Sequence, residues 1–170
     1  GRNFEYYSED PLLAGVLAGA MVKGIQSQGV AATVKHFALN NKETDRKHSD
    51  SRVSERAARE IYLKAFEYVI KGAKPWAVMS SYNVINGCYA SENKELLEDI
   101  LRDEWGFDGM VTTDWWTLGE HYKEVKAGND MKMACGDPKR LKEAVDQGLL
   151  TRQDLEHCAE RVLNLILKLD

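Results

Sequence analysis

"GFDGMVTTDWWTLGE", residues 106–120, decides how this chain is read. Gly106 stops a helix, and Gly109 to Thr113 is a short run of apolar and β-branched residues. Asp114 follows at once, against Trp115 and Trp116. A short apolar run bounded by turn residues reads as a buried strand. A carboxylate at its C-terminal end lies at the rim of the sheet. In parallel α/β sheets that rim is where chemistry collects.

Upstream, Asp10-Pro11 is an N-cap followed by proline at the first helical position, and it starts a helix that runs to Gln28 before Gly29. "VAATVKHF", 30–37, is the first strand, followed by a polar loop over 38–53. Ser54 caps a helix to about Lys71, with Ala58, Ile61, Tyr62, Ala65, Phe66 and Val69 on one face. "PWAVMSSY", 75–82, is the second strand, and its loop contains Asn86-Gly87. Asn93 caps a helix to Trp105. Downstream of Asp114 come a helix over 119–127, a short fourth strand from Asn129 to Ala134, and a helix from Asp137-Pro138 to Gly148. Thr151 and Asp154 form a capping box for a last helix carrying Leu155, Ala159, Val162, Ile166 and Leu169.

The fold class is therefore α/β: about four parallel βα units with flanking helices, joined by right-handed crossovers. An open doubly wound sheet and part of a TIM-like (β/α)8 barrel both fit. No G-x-G-x-x-G follows a strand and no G-x-x-x-x-G-K-[ST] is present, which weakens a nucleotide-binding sheet. A whole barrel takes about 250 residues. The 170 residues here suffice for roughly half of one, read as a single domain over 1–170.

The composition is that of a globular protein, with 44% hydrophobic and 29% charged residues. The net charge of −4, with both signs interspersed, argues against nucleic acid and acidic membranes as partners. No apolar run approaches the ~20 residues of a membrane span. Cys88, Cys135 and Cys158 are odd in number and far apart, with neither metal nor disulfide spacing. They read as small buried thiols in a reducing compartment, which leans towards the cytoplasm and otherwise leaves the location open. His36, His48, His121 and His157 are not at ligand spacing, and no metal or other cofactor is expected. The opening "GRNFEYYSEDP" has no methionine, as in a segment of a longer protein.

Polar residues recur at the strand ends: Lys35-His36, then Met79 to Tyr82-Asn83, then Asp114-Trp115. Each has an ordinary structural explanation. Lys35 and His36 are adjacent, so both reach one pocket only if the strand ends or bulges there. Tyr82 could cap the core, Asp114 could cap the next helix, and the indoles could be core. Together the residues suit a sugar: indole faces stack on a pyranose, charged groups bind its hydroxyls, and a carboxylate can attack the anomeric carbon.

The pieces "GRNFEYYSEDP", "KHFALNNKETDR", "VSERAAREIYLKAFE", "VMSSYN", "ILRDEWGFDGMVTTDWW" and "KAGNDMKM" occur in the order found in glycoside hydrolase family 3. The chain resembles the C-terminal half of that family's (β/α)8 barrel, of the β-glucosidase type. The resemblance implies a retaining glycosidase in which Asp114 is the nucleophile, with Thr113 where the family usually writes serine. Arg2, Lys35, His36, Arg46 and Tyr82 would bind sugar hydroxyls and orient Asp114, with Lys35 and Arg46 bringing positive charge. Trp115 would be the aromatic wall of the first subsite and Met79 would line the same pocket. Asn83 is assigned to loop structure and Trp116 to packing. The implied partner is a small carbohydrate or β-glycoside.

The resemblance also implies missing parts. The family's sugar-gripping aspartate lies upstream of "GRNFEYY", and its acid/base is a glutamate from a second domain. The chain alone would then be weakly active or inactive. Asp45, His48 and Asp50 are local acid candidates, but without the glycine-rich spacing of the branch that uses such a pair; Glu43, Glu120 and His121 have weaker claims. Two alternatives stand beside the hydrolase: a catalytically silent carbohydrate binder, and a half-barrel that self-associates or joins a companion chain to close its sheet edges. A phosphate-binding barrel fits poorly, since its Gly-rich loop reduces to Gly128 and Gly136.

Overall fold

The computed structural model describes residues 2–134 and 136–169. The expectation for Cys135 lies outside the described residues. The chain folds as parallel βα units of a partial TIM-like barrel. Helix α1 (Pro11–Gln26) precedes strand β1 (Thr33–Phe37), and Asp10 Oδ1 accepts the Leu13 amide at its cap. The loop expected over 38–53 contains a two-residue strand, β2 (Asp50–Ser51). Helix α2 comprises Glu55–Ala57, a π-helical stretch Ala58–Tyr62, and Lys64–Ala73. Strand β3 (Ala77–Ser80) follows, then the hairpin β4 (Val84–Ile85) and β5 (Cys88–Tyr89). A wide-turned helix α3 (Glu95–Glu104) leads to β6 (Met110–Thr113). Helices α4 (His121–Lys126), α5 (Pro138–Asp146) and α6 (Arg152–Leu169) complete the order.

The main sheet runs β1-β3-β6, all parallel. The expected fourth strand is reduced to one bridge, Thr112 to Met131. Backbone bonds persist around it, from Asp130 N to Val111 O at 2.8 Å and from Thr113 N to Met131 O at 3.0 Å, and side chains add to them. The Asp130 carboxylate accepts the Val111 amide at 2.7 Å, and Thr113 Oγ1 accepts the Met133 amide at 3.0 Å. The second sheet, β2-β4-β5, turns through Asn86 (φ 49°) and Gly87 (φ 92°). Both positive angles suit a two-residue hairpin turn.

The helical face expected from Ser54 onward needs correction. The Leu63 amide bonds to Ala58 O, five residues back, so the π turn rotates the second half of α2. Leu63, Phe66, Val69 and Ile70 are buried, whereas Ile61 and Tyr62 face outward. The core between sheet and helices holds Phe37, Phe66, Val78, Leu97, Leu101, Trp105 and Val111. The Phe37 ring stands edge-on to Phe66 and Trp105, at 5.1 and 5.8 Å between centroids. Gly15 lets α1 close on α2, since a Cβ there would lie 2.6 Å from Tyr68 Cβ. The last helix is little buried among the described residues. Only Cys158 is fully buried on it, and Leu163, Ile166, Leu167 and Leu169 are exposed. Cys88 is half-buried and Cys158 buried, both as free thiols, and burial pushes the Cys158 thiol up to about 12.

Candidate active site

Backbone hydrogen bonds stitch the three strand ends into one rim. Phe37 O accepts the Ser81 amide at 2.9 Å, and Ser80 O accepts the Asp114 amide at 3.1 Å. The pairing of β1 with β3 shifts register between Val34 and Phe37. This is the irregularity that two adjacent residues need in order to share a pocket. Lys35 Nζ and His36 Nε2 are accordingly 3.3 Å apart.

Asp114 is buried at the end of β6. Its Oδ2 lies 3.5 Å from His36 Nε2, and its Oδ1 accepts the Trp115 amide at 2.7 Å. It does not cap a helix, because α4 starts only at His121. Burial, the Lys35 charge and the Arg2 charge lower the His36 pKa against the opposing pull of Asp114. A neutral ring accepting from Lys35 carries its proton on Nδ1, which is buried without a hydrogen-bond partner among the described residues.

Tyr82 is buried beneath two cations, the Arg46 guanidinium at 4.7 Å and Lys47 Nζ at 5.1 Å from its ring centroid. Burial, reinforced by the Asp114 charge, pushes its phenol pKa up. Arg46 thus joins the cluster through Tyr82. Met79 is half-buried on β3 beside Thr112, one residue before the carbonyl that holds Asp114. Arg2 reaches the rim by ion pairs to Glu5 and to Glu43, the latter at 3.2 Å. Asn83 serves the loop, donating from Nδ2 to Ala38 O at 3.2 Å.

One carboxylate, Glu5, escaped the sequence reading, and Glu43 entered it only as a weak acid candidate. Glu5 joins Arg2, Lys35 (3.2 Å) and His36 (3.8 Å), while Glu43 joins Arg2 and Arg46 (3.1 Å). The available signal was Glu5 three residues after Arg2, within reach on one helical turn. Burial raises the Glu5 pKa, but the hydrogen bonds from Arg2 and Lys35 outweigh it and leave the carboxyl below its ordinary range. An ionised, ion-paired carboxylate is a poor proton donor. The other local candidates are also occupied. His48 Nδ1 and Asp45 Oδ1 pair at 2.8 Å in solvent, and Asp50 pairs with Arg52 at 2.6 Å. Glu120 pairs with Lys123 and Arg140, and His121 Nδ1 accepts the Asp137 amide.

Trp115 and Trp116 contact each other edge to face, 5.4 Å between centroids. Trp116 is not packed as expected: it is 61% exposed, with φ at 56°. Two cavities, about 340 and 260 Å³, flank the helices, and Asp114 lines neither.

This arrangement defines a partial (β/α)8 barrel with its polar cluster at the C-terminal strand ends. The chain belongs to glycoside hydrolase family 3: the model of the Glycosyl hydrolase family 3 N terminal domain matches residues 1–165. Beta-glucosidase A of Butyrivibrio fibrisolvens is 64% identical over 156 residues, covering 92% of this chain and 19% of that protein. An exo-α-(1→6)-L-arabinopyranosidase of Bifidobacterium longum is 47% identical over 169 residues, 99% of this chain and 22% of that protein. The structure of β-glucosidase 3B from Thermotoga neapolitana in complex with α-D-glucose superposes with a TM-score of 0.95 at 47% identity, covering 99% of this chain and 25% of that one. The chain spans about one-fifth of the length of the curated relatives it matches. No described helix is long and apolar enough to cross a membrane.

Proposed function

We propose that this chain supplies the nucleophile half of a retaining β-glucosidase site, as one unit over 1–170. The observation that carries the reading is the buried Asp114 carboxylate at the sheet rim, 3.5 Å from His36 and adjacent to the half-exposed Trp115. In this reading Asp114 attacks the anomeric carbon and the glycosidic bond breaks, leaving a glycosyl ester on Asp114 that water then hydrolyses. Lys35, His36, Arg2, Arg46 and Tyr82 hold the sugar hydroxyls and Asp114, and Trp115 with Met79 shapes the first sugar position. β-Glucosides come first because β-glucosidases recur among the relatives, with β-xylosides the runner-up. The arabinopyranosidase relative makes a panel of pyranosides the necessary assay.

The departing oxygen needs a proton, and acid catalysis contributes typically ~10²–10⁴-fold. Glu5, the carboxylate tied to Lys35 and His36, is held ionised. We therefore assign the acid/base to a further domain and the missing strands to a companion barrel segment. Exposed apolar side chains on α1 (Leu12, Val16, Met21) and α6 (Leu163, Ile166, Leu167) favour such assembly. They also support the second reading, a silent half-barrel that assembles with another chain. The free thiols Cys88 and Cys158 fit a reducing, cytoplasmic setting.

The deciding experiment is intact mass after incubation with a 2-fluoro-glucoside bearing an activated leaving group, which needs little acid assistance. A stable adduct mapping to Asp114, and lost in Asp114→Asn, is expected. An adduct on another residue would overturn the assignment.

A further inference from the structure

We propose that the Thr113 hydroxyl positions the nucleophile: it sets the plane of the Asp114–Trp115 peptide, whose N–H fixes Asp114 Oδ1 and leaves Oδ2 to attack. The inference rests on the reading of Asp114 as nucleophile.

Thr113 is the last residue of β6 and is completely buried. A hydroxyl has one proton to donate and two lone pairs to accept with. Thr113 Oγ1 accepts the Met133 amide at 3.0 Å, so its own proton points elsewhere, and it is donated to Asp114 O at 2.9 Å. The Met133 amide is itself held in place. Lys132 is clamped to the buried Glu124 at 2.5 Å, and Met133 O accepts the Trp116 amide at 3.0 Å.

The Asp114 carbonyl and the Trp115 N–H belong to one planar peptide unit and point in opposite directions. Holding the oxygen at one end therefore aims the N–H at the other. That N–H donates to Asp114 Oδ1 at 2.7 Å. Among the described residues, Thr113 Oγ1 is the only hydrogen-bond partner of the Asp114 carbonyl. The peptide before Asp114 is fixed separately, by the bond from Asp114 N to Ser80 O at 3.1 Å. The nucleophile is thus held through both of its peptides, and one of the two holds is a side chain.

The two carboxylate oxygens are consequently different. Oδ1 is engaged by an amide and has less charge to give. Oδ2 accepts no backbone amide among the described residues and faces His36 Nε2 at 3.5 Å. In this assignment the bond from Oδ2 to the anomeric carbon forms as the bond to the leaving oxygen breaks, and the electron pair departs with that oxygen. Misplacing the carboxylate by about 1 Å can cost on the order of 10²-fold in rate, so a hydroxyl acting through one peptide bears on the chemical step.

The test is the rate at which the 2-fluoro-glucoside labels Asp114 in the full-length polypeptide, followed by intact mass over a range of reagent concentrations. Thr113→Val keeps the shape of the side chain and removes the hydroxyl, whereas Thr113→Ser keeps the hydroxyl. Thr113→Val should lower the maximal labelling rate about five- to fiftyfold, with the half-saturating concentration within about twofold of wild type. Thr113→Ser should stay within about threefold of wild type in both. Each protein is followed to its final extent of one label per chain, so that the rate is read from folded sites. If Thr113→Val does not reach that extent, Thr113→Ala, which also lacks the hydroxyl, takes its place with the same expectation. A maximal rate within about twofold of wild type without the hydroxyl, or an equal loss in Thr113→Ser, would overturn the proposal. With Asp114 still labelled in the wild type, the nucleophile reading then survives and only the role of Thr113 falls. If the wild type is not labelled on Asp114, both fall together.

Discussion

His36 Nε2 lies 3.5 Å from Asp114 Oδ2, across two strands that are not neighbours in the sheet. Strand β3 lies between β1 and β6, so the two side chains meet above its end, over Ser80 and Ser81. Only a register shift in β1 lets His36 and Lys35 lean into the same space.

The first prediction concerns the carboxylate. In the full-length polypeptide, Asp114→Ala should lower turnover of an activated aryl glucoside by on the order of 10⁴-fold, the scale seen when one member of a catalytic unit is removed. Azide should restore part of the rate by attacking the anomeric carbon from the vacated side, giving an α-glucosyl azide. Identification of the product by NMR checks this. A β-azide, or wild-type turnover without rescue, would refute the role.

A second prediction follows from the burial of His36, which holds its pKa below the ordinary value of about 6.5. The unfolded chain then binds more protons than the folded one as pH falls through that value. Stability contributed by neutral His36 is full above about pH 6.5 and declines as pH drops towards the folded-state pKa. Burial lowers the His121 pKa too, giving the same sign. The comparison that isolates His36 is urea unfolding of wild type and His36→Gln between about pH 5 and 7.5. The variant should show the shallower fall, and parallel curves would exclude His36 as the source.

A third prediction tests the Glu124–Lys132 clamp. Glu124 is almost fully buried and Lys132 largely so, and replacing Glu124 by Gln leaves the Lys132 charge without its ionic partner. The cost should be about 3–5 kcal/mol in chemical denaturation. Glu124→Gln combined with Lys132→Met should lose less than Glu124→Gln alone. Equal losses would mean that the pair acts through packing.

A fourth concerns the start of β6. A Cβ on Gly109 would lie 2.5 Å from the Trp76 carbonyl and 2.7 Å from the Phe107 ring. Gly109→Ala should therefore cost about 1–3 kcal/mol, read from the midpoint of urea unfolding. A neutral outcome would show that the 106–109 turn can move.

Local chemistry made much of the order legible. Asp10, Ser54 and Asn93 cap helices through their own side chains, and Thr151 with Asp154 closes the expected box. The fourth strand was not legible as it stands, since it shrinks to one bridge in which the Asp130 and Thr113 side chains share the bonding with the backbone. Nor was the π turn of α2, which rotates the apolar face without changing the residues that make it.

At the site, the sequence alone determined which side chains stand at the strand ends, because a strand's termini and a sheet's rim follow from hydrophobic runs and turn residues. Lys35, His36, Tyr82 and Asp114 were readable in that way. The tertiary structure alone decided how they are wired: that Glu5 and Glu43 neutralise the cations, that Lys47 and Arg46 cover Tyr82, and that Trp116 points out while Glu124 is buried. The reason is distance in the chain. Ion pairs between residues 30 apart, and an indole held outward by a carbonyl to ammonium bond across 69 positions, depend on which segments the sheet brings together.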